Sequence, residues 1–357
     1  MPLKPLPRDI AELTPEWLTL ALAERFPEIE VTGLETVEVI RGTSTKVRLK
    51  ASYRNAPATG GPPEALCVKG GFDENLRKFD FLKFLYELEA HFYGKLAARL
   101  DVPTIGCWYA DAEDGQGIII LDDLVAKGGT FPRPTTPWKP EQIKRSLALL
   151  AGLHAQTWGT VPEDYPWLYK SWEQLPRTVE GCFADDVWEA MMARPDAHLI
   201  PEPQRDRARM RRAMAAIAQL MEKTQPWCVV HFDASINNTY LEPGTGEPRF
   251  CDWQCASVGP FMIDVAYHIS GALTVEDRRT HERDLFAFYL DKLHEAGGPR
   301  YTVEEKWLEY RQFEMGMGWL WCTCSTLMQP PATIAAMTER HATACADHQT
   351  LDALGVI

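Results

Sequence analysis

Apolar and polar residues alternate along 31–40 and again along 44–53, the period of a half-buried strand, with Arg41-Gly42-Thr43 between them. The two runs predict an antiparallel hairpin. Ahead of it, Thr14 followed by Pro15 and Glu16 carries the cap and first-turn proline of a helix over 15–26. Residues 54–63 are rich in proline and glycine and read as a turn region, and 64–69 as a third short strand. Between 73 and 100, apolar residues recur at Phe81, Phe84, Leu85, Leu88, Phe92 and Leu96, the spacing of one amphipathic helix. Strand patterns return at 104–110 and 116–121, on either side of the turn-rich 111–115. Five strands and one long helix before residue 122 make an α+β lobe.

After Asp122-Asp123-Leu124 and the Gly128-Gly129 break, helical periods dominate to the end, apart from short β runs within 227–252. The shift divides the chain into a lobe over 1–124 and a larger, mostly helical lobe over 125–357. Thr274 ahead of Glu276-Asp277, and Thr302 with Glu305 three residues on, are capping signatures that each open a long helix. Residues 315–337 contain no charged side chain, but Thr323, Ser325, Thr326, Gln329 and the pair Pro330-Pro331 interrupt them. That stretch predicts a buried helix and not a membrane span.

Composition narrows the function classes. Apolar residues at 45% and charged residues at 24% are ordinary for a soluble globular chain, so folding throughout is expected. With 37 basic against 50 acidic residues the formal charge is −13, which argues against nucleic acid or an anionic membrane as the main partner. The nine cysteines are scattered, odd in number and without paired C-x-x-C spacing, so reduced thiols in a cytoplasm are expected. Residues 1–13 mix charges with three prolines and lack the apolar core of a signal peptide.

The chemistry concentrates in Cys228-Val-Val-His231-Phe-Asp233-Ala-Ser-Ile-Asn237-Asn238 and in Arg249-Phe-Cys-Asp252-Trp-Gln. Residues 239–242 and 249–251 are β-like with a Pro-Gly-Thr-Gly-Glu turn between them, which predicts a hairpin. With the turn centred at Thr245, Asn238 and Asp252 each stand seven residues from the tip and emerge at the same open end. An amide oxygen beside a carboxylate suits Mg²⁺, a hard cation that completes its shell with phosphates and water. Asp233, five residues before Asn238 on the entering loop, is placed to orient an acceptor hydroxyl and take its proton. Phosphoryl transfer needs mainly such positioning and charge neutralisation.

His231-x-Asp233-x-x-x-x-Asn238 followed by Asp252 resembles the catalytic loop and metal-binding Asp of kinases, most closely those of the aminoglycoside phosphotransferase and ecdysteroid-kinase-like families. Phe232 stands where those families usually have glycine, and Trp253 where they have phenylalanine. The resemblance implies a two-lobed protein-kinase-like fold that binds ATP in the cleft between lobes. It implies Lys69 as the phosphate-binding lysine and Glu89 as its helix-borne partner. Asp122, Asp123 and Leu124 match the hinge that meets adenine through its backbone, and Gly42, Thr43 and Ser44 would be a Gly/Ser/Thr clasp on the phosphates. Leu153-His154-Ala155 through Trp158, and Gly259-Pro260 through Asp264-Val-Ala-Tyr267, resemble family segments without direct chemical roles, Asp264 being an acid that supports the catalytic loop.

His231, at the end of an apolar strand, reads as a hydrogen-bonded structural residue, and Cys251 and Cys255 as inert thiols. The expected activity is transfer of the γ-phosphate of ATP, with Mg²⁺, to a hydroxyl of a small molecule. Two rivals are an aminoglycoside-type antibiotic kinase and a catalytically idle binding module, the latter disfavoured because Lys69, Asp233, Asn238 and Asp252 are all retained. Residues 159–200 hold eight acids against Lys170, Arg177 and Arg194, a local charge of −5 that suits a cationic acceptor. The charge-free 315–337 stretch, with Trp319, Trp321 and four methionines, suits a largely apolar alcohol, which is the expected acceptor.

Overall fold

Thr14 accepts a hydrogen bond from the Trp17 N–H, and Pro15 opens helix α1 (Pro15–Ala23) as the cap predicts. The alternating runs that follow form β1 (Glu30–Ile40), β2 (Thr45–Arg54) and β3 (Ala65–Gly70). Helix α2 (Asp80–His91) and strands β4 (Cys107–Glu113) and β5 (Gln116–Asp122) complete a five-stranded sheet of order β1-β2-β3-β5-β4. All its pairings are antiparallel. Val47, Leu49, Leu66, Val68, Ile118 and Ile120 fill one face of the sheet beneath Leu18, Ala21 and Leu22 of α1. Because successive side chains point to opposite faces, Lys69 is directed to the other side.

The single helix expected over 73–100 is shorter. A 3₁₀ turn at Leu76–Lys78 precedes α2, and a π-helical turn (Phe92–Leu96) and a 3₁₀ turn (Ala97–Arg99) follow it. Gly94, a weak helix former, lies in the π turn, where a Cβ would come 3.4 Å from the Ala110 carbonyl oxygen. A second glycine sets the depth of α2 on the sheet: a Cβ at Gly117 would lie 1.9 Å from the Tyr86 carbonyl oxygen.

The structure is a computed structural model and describes residues 5–356 apart from residue 327. It divides into two compact units: Met1–Thr130 with Leu241–Gly246 and Cys251–Cys255, and Phe131–Tyr240 with Glu247–Phe250 and Ala256–Ile357. The second begins with α3 (Pro140–Gln156), β6 (Tyr169–Lys170), α4 (Ser171–Cys182), α5 (Asp185–Ala193) and α6 (Arg207–Lys223). Strand β7 (Cys228–Val230) leads to β8 (Thr239–Leu241) and β9 (Pro248–Phe250), the predicted hairpin, and β10 (Ser257–Gly259) joins β6 and β7 in the order β6-β10-β7. Helices α7 (Met262–Ala272), α8 (Val275–Glu295), α9 (Val303–Phe313) and α10 (Pro331–Asp347) end this unit's main helical series. Helix α7 is buried at every position, with α3, α8, α9 and α10 packed against it. Thr274 and Thr302 cap α8 and α9 as expected.

The buried helix expected over 315–337 does not form. Gly316 adopts φ +127°, outside any helix; Trp319–Thr323 is a 3₁₀ turn, and Pro331 opens α10 at its first position. No helix among the described residues is long and apolar enough to cross a membrane.

Candidate active site

In the first unit, Lys69 is almost fully buried and lies between two carboxylates. Its Nζ stands 2.6 Å from Glu89 Oε2 and 2.8 Å from Asp252 Oδ1. Burial alone pulls the ammonium pKa down, but Asp252 and Glu89 outweigh it and hold Lys69 above the ordinary lysine value, and so charged. Burial pushes the Glu89 carboxyl up, against the pull of Lys69. Glu89 also accepts the Trp253 N–H on Oε1 at 3.1 Å, so its two oxygens tie β3 to the segment after Asp252. Asp252 adopts φ +65°, a left-handed conformation sparse for a residue with a Cβ. The Trp253 indole stacks on Phe92 with centroids 4.1 Å apart and planes 9° from parallel. That packing suits the larger ring at this position. Lys46 stands directly across from Lys69 in the β2–β3 register, a second cation on that face that sequence reasoning assigned no role.

The turn holding Gly42, Thr43 and Ser44 is fastened to α2, because Tyr86 donates its hydroxyl to the Thr43 carbonyl oxygen at 2.7 Å. Ser44 is buried, and its hydroxyl has no hydrogen-bond partner among the described residues. At the predicted hinge, Asp122 accepts from Trp108 Nε1 (3.0 Å) and Lys127 Nζ (2.6 Å). Asp123 accepts the N–H groups of Val125 and Ala126 and the Arg48 guanidinium. Both carboxylates therefore hold the segment itself, and the Leu124 carbonyl accepts the Gly129 N–H.

In the second unit, one face of α7 holds four consecutive residues of the loop after β7. Asp264 is fully buried and accepts the N–H of His231 (2.7 Å) and of Phe232 (2.8 Å), together with His154 Nε2 (3.1 Å). One turn on, Tyr267 donates to Asp233 Oδ1 at 2.9 Å, and His268 Nδ1 bonds the Ala234 carbonyl oxygen at 2.6 Å. Burial pushes His268 down to about 4, so its ring is neutral. The Asp233 carbonyl accepts both the Ser235 N–H and Asn238 Nδ2 (2.9 Å). With its NH₂ engaged there, the Asn238 amide keeps its oxygen, an acceptor that can also ligate a cation. Ser235 Oγ caps the 3₁₀ turn Ile236–Asn238.

Thus Lys69, Glu89 and Asp252 are brought together in one unit, and Asp233 and Asn238 in the other. His231 is fully buried, packs beside Phe250 and is held through its backbone. Burial pushes the Cys251 thiol up to about 12, the behaviour of a protonated, inert thiol. A buried trio elsewhere, Glu282, Glu314 and His348, has metal-like spacing, but the Arg278 guanidinium already bonds Glu282 and His348.

Sequence reasoning missed the roles of Tyr267 and His268. Their signal was the i, i+3, i+4 spacing of Asp264, Tyr267 and His268 on a helix otherwise almost wholly apolar.

The sequence profile of the ecdysteroid kinase-like family matches residues 81–297, well over half of the chain. The chain belongs to the ecdysteroid kinase-like family. No curated protein sequence matches it. Among solved structures it is similar to a microcompartment-associated aminopropanol kinase, at 10% identity, over 95% of this chain and 99% of that one, with a TM-score of 0.51. It is also similar to the choline kinase LicA from Streptococcus pneumoniae (14% identity, 93% and 98% of the two chains, TM-score 0.48). An ethanolamine kinase of Plasmodium vivax matches at 14% identity over 87% and 81% of the two chains, with a TM-score of 0.49. The likeness to the aminopropanol kinase is one of fold, and the α+β kinase-like architecture of this ecdysteroid kinase-like chain agrees with it.

Proposed function

We propose that the protein is an ATP- and Mg²⁺-dependent phosphotransferase that phosphorylates a hydroxyl of a small, largely apolar alcohol. The observation that carries the reading is the buried lysine bound by both Glu89 and Asp252, with Asp233 ordered at the predicted catalytic loop. A lysine held charged inside the fold by two carboxylates is a positioned cation, suited to phosphate oxygens. The unpartnered buried hydroxyl of Ser44 fits a phosphate-facing turn. The Asn238 amide oxygen and the Asp252 carboxylate are the hard oxygen donors that Mg²⁺ takes.

When bound, Mg²⁺ supplies charge neutralisation of the phosphates. Lys69 would hold phosphate oxygens and Glu89 would keep Lys69 in place. Asp233 would orient the acceptor hydroxyl and take its proton as the oxygen–phosphorus bond forms, while ADP leaves.

The acids of 159–200 support an apolar acceptor over a polycationic one. Glu173 pairs with Lys170, Asp185 with Arg207 and Asp196 with Arg194, and Asp164 accepts the Val161 N–H. Glu163, Glu180, Asp186 and Glu189 are exposed. Trp321, from the charge-free stretch, instead reaches Tyr267 at the Asp233 carboxylate.

The test is MgATP-dependent phosphate transfer to a panel of sterol-like alcohols including an ecdysteroid, choline, ethanolamine, aminopropanol and a kanamycin-like aminoglycoside. Transfer to the sterol-like alcohols is expected. Efficient transfer to the aminoglycoside alone would overturn the apolar acceptor, and failure to bind MgATP at all would overturn the phosphotransferase reading.

A further inference from the structure

We propose that Tyr267 and Trp321 are positioning residues for Asp233, joined in a one-way chain of hydrogen bonds that fixes the carboxylate before an acceptor arrives. The inference rests on the reading of Asp233 as the proton acceptor. Tyr267 lies 2.9 Å from Asp233 Oδ1, and Trp321 Nε1 lies 2.7 Å from the Tyr267 hydroxyl oxygen. An indole N–H only donates, so the tyrosine oxygen accepts from Trp321 and its single hydrogen is directed to Asp233. Bonds running in one direction polarise one another, and the last meets a carboxylate, the strongest acceptor of the set.

Both members are braced. Tyr267 is almost fully buried on α7, whose Asp264, one turn earlier, holds the two residues before Asp233. Its ring packs against that of His341, centroids 5.1 Å apart, and burial pushes His341 down to about 3, so that ring is uncharged. Trp321 sits in the 3₁₀ turn Trp319–Thr323, where Arg194 Nη1 donates to the carbonyl oxygens of Cys322 (2.9 Å) and Cys324 (3.0 Å). The Arg194 guanidinium is itself held at two atoms by Asp196. Asp233 is half-buried on its loop, and the chain fixes one of its carboxylate oxygens, so less ordering remains for the reaction step.

Mechanistically, Trp321 acts only through Tyr267, which makes the two substitutions non-additive. The test uses the full-length protein with MgATP as probe, read as ADP release with water as the acceptor. Tyr267→Phe should lower kcat by roughly 10- to 100-fold, with KM for MgATP within about twofold of the parent. Trp321→Phe should cost less, about 3- to 10-fold, and the double variant should be no slower than Tyr267→Phe alone. Additive losses, or an unchanged kcat in Tyr267→Phe, would overturn the proposal.

An independent readout needs no turnover. In ¹⁵N-tryptophan-labelled protein the Trp321 indole resonance, assigned by its loss in Trp321→Phe, should move in both Tyr267→Phe and Asp233→Asn. A resonance that ignores Asp233→Asn would break the chain at Tyr267, and this measurement decides the matter if Tyr267→Phe does not fold. If Asp233→Asn turns over like the parent while the resonance still moves, the proton-acceptor reading fails and the hydrogen-bond chain stands.

Discussion

The N–H of Phe232 donates to Asp264 Oδ1 at 2.8 Å while Phe232 itself is held at φ +68°. This is a left-handed conformation that glycine adopts freely, which accounts for the family's usual glycine here. Phe232 is fully buried, and its ring replaces that freedom with packing.

Two opposing magnitudes decide the outcome of Phe232→Gly. Relief of the left-handed conformation gains about 1–2 kcal/mol, whereas removing a buried phenylalanine ring costs about 3–5 kcal/mol. The variant should be destabilised by roughly 2 kcal/mol in urea unfolding. A gain in stability would mean that backbone strain dominates.

Lys69→Met should lose most turnover and also destabilise the fold, since it leaves Glu89 buried without its cation, at about 3–5 kcal/mol. Adding Glu89→Gln removes the orphaned charge. Thermal melts of the double variant should recover part of the loss, while its ADP release stays as low as that of Lys69→Met. Recovery of both would remove Lys69 from the reaction.

Asp252 serves Lys69 in the structure and is assigned to Mg²⁺ in the proposed reaction. Chelation of Mg²⁺ should stop ADP release, and Asp252→Asn should raise the half-saturating Mg²⁺ concentration by about tenfold or more. An unchanged Mg²⁺ requirement in a folded Asp252→Asn protein would exclude that carboxylate as a ligand.

Glu314 is buried and accepts from Ser270 Oγ at 2.7 Å; burial pushes its carboxyl up to about 7, against the pull of His348 and Arg278. The folded state therefore keeps this proton at pH values where the unfolded chain has lost it. The contribution to stability is complete below the unfolded value and is lost as pH rises through about 7. Glu314→Gln abolishes that titration, so its stability relative to the parent should rise between pH 5 and pH 8, by up to roughly 3 kcal/mol. Parallel stability profiles for the two proteins would contradict the assignment.

Strands β1 and β2 were legible from alternation, and β3, β4 and β5 from short runs bounded by turn residues, although β4 runs through 107–113 and not 104–110. The caps at Thr14, Thr274 and Thr302 were legible from local residue types. Glu89 is paired with Lys69 by resemblance, but the second contact of Lys69, with Asp252, is absent from that reading, which gives Asp252 to the metal. Two further kinds of feature were not legible. Absence of charge over 315–337 reports burial but not helix, and Gly316 and the proline pair decided the backbone there. Tyr267 and Trp321 meet across 54 positions of sequence, and such a contact has no periodic signature.

The chain leaves the second unit at Leu241, returns to it at Glu247, leaves again at Cys251 and is back by Ala256. Asp252 and Trp253 thus belong spatially to the unit of the sheet but are encoded more than a hundred residues after Thr130. A gene fragment ending at residue 130 would encode Lys69 and Glu89 without the carboxylate and N–H that complete their bonding, and Phe92 without the ring that covers it. The unit is therefore no autonomous module. It cannot be excised, swapped between relatives or used as one half of a split reporter by a single cut, because the bonding of Lys69 and Glu89 is completed only by the distant pentapeptide Cys251–Cys255.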